Sequence, residues 1–291
     1  MNLTSPAQVR AWCQAREFHP NRTLGQNFLI DRNVRDAIVA AAGVGPGQRV
    51  LEIGPGLGVL TVAMLEAGAA GTAVEKDGRL AAWLAESLAG VPGLTLLAAD
   101  ALELDLDRLL APGFDATVSN LPYSVGTRIL LDLALHAAAP PRHTVTVQRE
   151  VAERFAAPAG APARGQAGVW LQRQYDVTLV RIITPTCFWP RPDVESALVR
   201  LVRHDRHPLP PAAAACYQAV TRHAFMHRRK QLAVTLRHAP PPLQRDAESG
   251  RRLLAACGIA PQARPETIDV AQWCALASAL AQRADSSSCQ D

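Results

Sequence analysis

From about Val50 the chain alternates short apolar runs with helix-like stretches, and this rhythm restricts its possible folds more than any other feature. RVLEIG is followed by LTVAMLEAG, GTAVEKD by GRLAAWLAESLAG, and LTLLAAD comes next, a β-α-β-α-β pattern. Such alternation predicts a mostly parallel sheet with helices on both faces, whose ligands sit outside the carboxyl ends of the strands. Further strands are expected at FDATVSN, HTVTVQ, YDVTLVRII and SALVRLV, with helices after Ser124 and through REVAERF. Hydrophobic residues make up 48% of the 291, enough to bury one large or two unequal domains.

The sheet pattern stops at HDRHPLPPAAAA, whose prolines precede helical patterning in CYQAVTRHAFMHRRKQLAVTLRH and VAQWCALASALAQ. A domain boundary is therefore expected between Arg203 and Pro211. Residues 1–204 should form the larger domain, 205–283 a small helical one, and 284–291, in ADSSSCQD, a flexible tail. No apolar run reaches the roughly 18 residues of a membrane span. The first residues carry charges where a secretory signal would need an apolar block. A cytoplasmic protein without membrane contact is expected, a monomer by default. The six cysteines, at 13, 187, 216, 257, 274 and 289, include no CxxC pair or zinc-type cluster, so reduced thiols and no metal are expected.

The formal net charge of +4 is unevenly placed: Arg181 to Arg237 holds ten Arg/Lys against three Asp/Glu, leaving the remainder at −3. A local basic surface suits a polyanion, because each neutralised phosphate releases counterions. A solvated face in an arginine-biased protein would look the same.

The strand ends carry the chemistry. In Glu52-Ile-Gly54-Pro-Gly56-Leu-Gly58, glycines directly after a strand allow a tight turn and close approach of backbone to ligand. A dinucleotide fingerprint GxGxxG would put its third glycine at 59, which is Val, so the loop suits a methionine moiety better than a pyrophosphate. Glu75 ends the next strand, where an acid can accept from ribose hydroxyls, and Asp100 ends the one after, where it can accept from an adenine amine. Each alone could be a solvated turn or helix cap. The fourth strand ends in Ser119-Asn120-Leu121-Pro122-Tyr123. An exocyclic amine is a poor nucleophile because its lone pair is delocalised into the ring. The Asn120 side-chain oxygen and a backbone carbonyl at Leu121 or Pro122 would hold its hydrogens and favour the reactive pyramidal form, with Tyr123 stacked on the base. Taken alone, Asn120-Leu121-Pro122-Tyr123 reads equally well as a plain turn leaving a strand.

The segments LGQNFLID, VLEIGPGLGVLT, VEKD, AADAL, SNLPYSV, VQREVAERF, FWPRPDVESALVRL, AFMHRRKQL and RPETIDVAQWCALA, from Gly25 to about Leu280, together resemble the small-subunit ribosomal RNA adenine N6-dimethyltransferases, relatives of the macrolide-resistance rRNA methylases. The resemblance implies an α/β, Rossmann-like class I methyltransferase with a mostly parallel sheet and a smaller C-terminal all-helical domain that binds rRNA. It implies S-adenosylmethionine as cofactor, held by Asn27, Leu29, Gly54, Gly56, Glu75, Asp100 and Asn120, with residues 1–45 contributing to that site. It also implies that Phe188 closes on the target adenine opposite Tyr123, although core packing would equally account for a phenylalanine there. The implied product is N6-dimethyladenosine at two adjacent adenosines of the 3′-terminal hairpin loop of small-subunit (16S) rRNA, made on immature small subunits during ribosome biogenesis. Such a base must be flipped out of its surroundings. Arg228, Arg229 and Lys230, on a helix of the smaller domain, would grip phosphates, or else form a solvated face.

Two places depart from the family pattern. Arg164-Gly165-Gln166-Ala167-Gly168-Val169 stands where Tyr-Gly-Arg-Leu-Ser-Val is common, after the glycine- and alanine-rich APAGAPARG, so a mobile loop is expected there. Val234 stands where Asn is usual. Competing readings are methylation of 23S rRNA of the antibiotic-resistance type, a small-subunit assembly factor with incidental catalysis and, more remotely, methylation of DNA or a protein glutamine.

Overall fold

A computed structural model describes residues 1–21 and 25–287, without the side chains of 283–287. The strands are β1 (Phe28–Leu29), β2 (Arg49–Ile53), β3 (Ala70–Glu75), β4 (Leu94–Ala98), β5 (Ala116–Asn120), β6 (Arg142–Gln148), β7 (Tyr175–Ile183), β8 (Phe188–Trp189) and β9 (Ser196–Arg203). The helices are α1 (Pro6–Ala15), α2 (Arg32–Ala42), α3 (Val59–Glu66), α4 (Gly78–Ser87), α5 (Leu106–Leu110), α6 (Gly126–Ala134), α7 (Arg149–Ala156), α8 (Gln166–Gln174), α9 (Pro211–Met226), α10 (Leu232–Arg237), α11 (Ala247–Ala256) and α12 (Val270–Ser287).

Seven strands form one sheet in the order β4-β3-β2-β5-β6-β9-β7. The pairs β2–β3, β3–β4, β2–β5 and β5–β6 are parallel, and β6–β9 is antiparallel. The parallel strands at the centre are covered on both faces, which is why they read as unbroken apolar runs: Val50, Leu51, Ile53, Ala116 and Val118 are all buried. Strand order reverses where β2 lies between β3 and β5, and a sheet of this kind leaves a crevice at that point. Helix starts are fixed by side-chain caps. Asp31 accepts from the Val34 amide ahead of α2, and Asp77 accepts from Arg79 and Leu80 ahead of α4. A separate two-stranded ribbon pairs β1 with β8 antiparallel, Phe28 opposite Trp189 and Leu29 opposite Phe188.

Two compact units emerge, Met1–Ala152 with Asp176–Arg203, and Glu153–Tyr175 with His204 onward. The expectation of an uninterrupted large domain over 1–204 is thus corrected, because Glu153–Tyr175 packs with the C-terminal helices. Val169 joins their core with Tyr217, Val220, Leu254 and Trp273, the Tyr217 hydroxyl donates to the Val169 carbonyl at 2.9 Å, and Trp170 Nε1 donates to Thr221 Oγ1 at 2.8 Å.

The mobile loop expected at Arg164–Val169 is also corrected. Gln166–Gln174 is helix α8. A Cβ at Gly168 would stand 2.4 Å from the Arg154 carbonyl oxygen, so glycine is what lets the helix seat there. The Arg164 side chain is buried and donates through Nη1 to the Ala157 carbonyl (2.7 Å) and Gln172 Oε1 (2.9 Å). The flexible tail expected over 284–291 is corrected as far as Ser287, to which α12 runs; 288–291, with Cys289, lie outside the described residues. Among the described residues no helix is long and apolar enough to cross a membrane.

Candidate active site

A cavity of about 320 Å³ opens at the carboxyl ends of β2, β3 and β5, the side on which the sequence placed its strand-end residues. Asn27, Leu29, Gly54, Gly56, Glu75, Asp100, Asn120, Leu121, Pro122 and Tyr123 all line it.

The glycine loop forms its floor. Ile53 at the end of β2 donates its amide to Ser119 Oγ at 2.9 Å, which ties β2 to β5 just before both chains turn. Gly56 has φ +59°, and a Cβ there would sit 3.1 Å from the Phe28 ring, itself part of the cavity wall. Gly58 starts α3 at φ +92°, with only 2.7 Å between its would-be Cβ and Leu84. Both positions need glycine for conformation and for space.

The carboxylates differ in setting. Glu75 is buried and its two oxygens accept from the amides of Gly56 and Asp77, each at 2.9 Å. Burial pushes its pKa above the ordinary carboxylate value. Asp100 instead accepts from Lys76 Nζ at 2.6 Å and from the Leu102 amide at 3.0 Å, and the lysine contact holds it below the usual range. Each oxygen retains lone-pair capacity for a ligand hydroxyl or amine.

Asn120 is held by its own amide, whose Nδ2 donates to the Asn27 carbonyl at 3.0 Å. Its Oδ1 is buried with no hydrogen-bond partner among the described residues. Of the two backbone acceptors considered beside it, the Pro122 carbonyl is taken by the amides of Val125 (3.3 Å) and Gly126 (2.7 Å). The Leu121 carbonyl accepts no hydrogen bond among the described residues. Leu121 and Asn120 therefore present two unused acceptors, while Pro122 shapes the turn. Tyr123 is anchored through a hydrogen bond between its hydroxyl and Ser196 Oγ.

Phe188 requires correction. Its side chain is only 2% exposed, lies in the core with Leu29, Val34, Ile38 and Leu198, and does not line the cavity. The β1–β8 register explains this: with Phe188 opposite Leu29 turned inward, alternation turns Phe28 and Trp189 the other way, and their rings stack with centroids 6.5 Å apart.

In the C-terminal unit, Arg228, Arg229 and Lys230 do not lie on a helix. They form the turn between α9 and α10, where the Lys230 amide donates to the His227 carbonyl at 2.8 Å. Arg228 is held within its own unit, donating to the Pro162 carbonyl at 2.5 Å and pairing with Glu266 at 3.5 Å. Arg229 and Lys230 are exposed.

Sequence reasoning missed Phe28, Glu52 and Lys76 as cavity residues. Lys76 was detectable as the basic residue directly after the Glu75 strand end. Phe28 and Glu52 carried no such signal, because an aromatic and an acid inside apolar runs read as core.

The comparisons agree with this geometry. Residues 17–282 match the model of the ribosomal RNA adenine dimethylase family. The chain belongs to that family. A ribosomal RNA small subunit methyltransferase A from Phenylobacterium zucineum is 39% identical, with 97% of this chain and 96% of the relative covered. Among solved structures, a dimethyladenosine transferase from Plasmodium falciparum shares the fold at TM-score 0.72 and 21% identity, covering 84% of this chain and 94% of that one. The 23S rRNA methyltransferase ErmE matches at TM-score 0.67 and 27% identity, covering 87% and 99%. The family assignment makes this an rRNA-modifying methyltransferase with a Rossmann-like catalytic unit and a helical C-terminal region.

Proposed function

We propose that this family member uses S-adenosylmethionine to dimethylate the N6 amino group of two adjacent adenosines in the 3′-terminal hairpin loop of 16S rRNA, on immature small subunits. The observation that carries the reading is the buried, unpartnered Oδ1 of Asn120, aimed by the Asn27 carbonyl and flanked by the unused Leu121 carbonyl. Two acceptors beside a cofactor-sized cavity match a substrate that brings an NH₂ group.

In this arrangement the glycine loop holds the methionine portion of the cofactor, Glu75 the ribose hydroxyls and Asp100 the adenine amine. S-adenosylmethionine supplies an electrophilic methyl. Asn120 and Leu121 hold the amine hydrogens so that the nitrogen lone pair points at that methyl, and the surplus proton leaves to solvent. Orientation and charge stabilisation of this kind lower the barrier without a covalent intermediate. Tyr123, fixed by Ser196, offers its ring to the flipped base. Phe188 serves as the packed support of that wall, behind Leu29. Arg229 and Lys230, exposed at the turn, contact rRNA phosphates.

Small-subunit rRNA is favoured over 23S rRNA by the 39% identity to a small-subunit enzyme, against 27% to ErmE. The test combines pure protein, S-adenosylmethionine and undermethylated small or large subunits, with modified adenosines mapped by mass spectrometry. Dimethyladenosine in the small subunit alone is expected. Its absence with folded protein and verified substrate overturns the reading.

A further inference from the structure

The segment between α7 and α8 has no part in the reading above, yet it holds a buried charge. Arg164 is 1% exposed, and no carboxylate pairs with it among the described residues. Burial holds its guanidinium below the usual pKa, the mark of a cation that gains little from being inside. What Arg164 does there is close a loop. Its Nη1 donates to the Ala157 carbonyl and to Gln172 Oε1, while Gln172 Nε2 donates to the carbonyls of Phe155 (2.6 Å) and Ala157 (3.0 Å). Both ends of residues 157–164 are thereby fastened to α8. Within the loop the Ala161 amide donates to the Pro158 carbonyl at 3.2 Å and the Arg164 amide to the Ala161 carbonyl at 3.0 Å, which makes two successive turns. The loop so shaped offers two backbone groups to its neighbours. The Gly160 amide donates to the Glu266 carbonyl at 2.8 Å, and the Pro162 carbonyl accepts from Arg228 Nη2, whose Nε pairs with the Glu266 carboxylate. Arg228 opens the turn that exposes Arg229 and Lys230, and the Leu232 amide closes it by donating to the Ala263 carbonyl at 2.8 Å.

We propose that Arg164 is a positioning residue for rRNA binding: by closing the 157–164 loop it holds Arg228, and through Arg228 the orientation in which Arg229 and Lys230 meet phosphates. The inference rests on the rRNA reading above. A turn already held in its binding geometry forfeits less entropy on meeting RNA, so the brace adds affinity without adding a contact. Arg164 is itself buried and reaches no phosphate. This separates it from Arg229 and Lys230, each of which adds to the salt dependence of binding, whereas Arg164 adds nothing to it.

Binding of the full chain to undermethylated small subunits, titrated across salt concentrations, tests this. Arg164→Met keeps a long stem and removes the donors. It should bind roughly tenfold more weakly at every salt concentration, with the slope of log affinity against log salt unchanged. KM for subunits should rise with it, while kcat and S-adenosylhomocysteine affinity stay as in wild type, because the cofactor cavity is built from the other unit. Added to Arg229→Ala/Lys230→Ala, Arg164→Met should cost no further affinity, since nothing is left to position. Arg164→Gln, too short to span both acceptors, should behave alike and runs the same cycle if Arg164→Met does not fold. Losses that add in the combined variant show that Arg164 acts independently of the turn, and overturn the proposal. A slope lowered by about one would mean that Arg164 itself meets a phosphate, which also overturns it. Unchanged affinity in a folded variant, or an equal fall in kcat and S-adenosylhomocysteine affinity, overturns it as well. Wild-type protein that binds no small subunit even at low salt overturns the rRNA reading itself.

Discussion

The side-chain amide of Asn120 donates to the main-chain carbonyl of Asn27, 3.0 Å away and 93 residues earlier in the chain. This bond decides which end of the amide faces the cavity, and so makes Asn120 an acceptor there. Asn120→Ala should lower single-turnover methyl transfer by roughly 10²–10³, as loss of one positioned transition-state group does elsewhere. Asn120→Asp should fail comparably, because a carboxylate meets the Asn27 carbonyl with no hydrogen to give. Near-wild-type transfer by either variant would remove Asn120 from the chemistry.

Gly56→Ala puts a methyl group 3.1 Å from the Phe28 ring, at φ +59°. Strain at such a position costs about 1–2 kcal/mol. A lowered melting temperature should accompany weaker cofactor binding, since the Gly56 amide also positions Glu75. Isothermal titration of the folded variant checks the second effect separately.

Arg229 and Lys230 are exposed, whereas Arg228 is tied to Pro162 and Glu266. The double variant Arg229→Ala/Lys230→Ala should weaken rRNA binding at low salt and reduce the slope of log affinity against log salt by about two. Arg228→Ala should act more on the thermal stability of the C-terminal unit. An unchanged slope in the double variant would refute the phosphate grip.

Gly168→Ala should destabilise the C-terminal unit by about 1–3 kcal/mol, because α8 would have to move off the Arg154 carbonyl. Circular dichroism during denaturant unfolding measures it. A neutral result would mean that the close approach of α7 and α8 relaxes freely.

Glu52 also predicts a pH dependence of stability. An acid that burial raises from 4.5 to about 8 on folding binds more protons in the folded than in the unfolded chain between those values. Ligand-free stability from this group is therefore fully present below pH 4.5 and lost as pH rises towards 8. Glu52→Gln should remove that decline, leaving the ligand-free variant more stable than wild type at pH 8 by an amount on the order of a few kcal/mol, and about equal at pH 4.5. Melting curves of both proteins across this range would show parallel declines if the group titrates normally.

The parallel strands and their terminal residues were legible because burial on both faces writes a strand as an apolar run, and because a glycine loop and acids follow one another at successive strand ends, where each alone would pass for a turn or cap. Ten of the residues singled out line one cavity. What stayed hidden depends on contacts distant in sequence. Phe188 faces the core because it pairs with Leu29, a register no local pattern encodes. Arg228 to Lys230 fit a helical period, yet Leu232 and Leu236 beyond them are both buried in the C-terminal core, which turns the chain between α9 and α10. Alanine and glycine before Arg164 suggested looseness, while α8 uses the missing Cβ of Gly168 to pack tightly.

The ribbon of β1 and β8 has a consequence for how the protein is made. Phe28 and Leu29, both cavity residues, leave the ribosome early, but their partners Trp189 and Phe188 emerge only after nearly two thirds of the 291-residue chain. Closing a loop that long must wait for synthesis to reach it. A nascent chain truncated before β8 would carry the glycine loop and all four strand-end acceptors, yet its cavity would lack a finished wall.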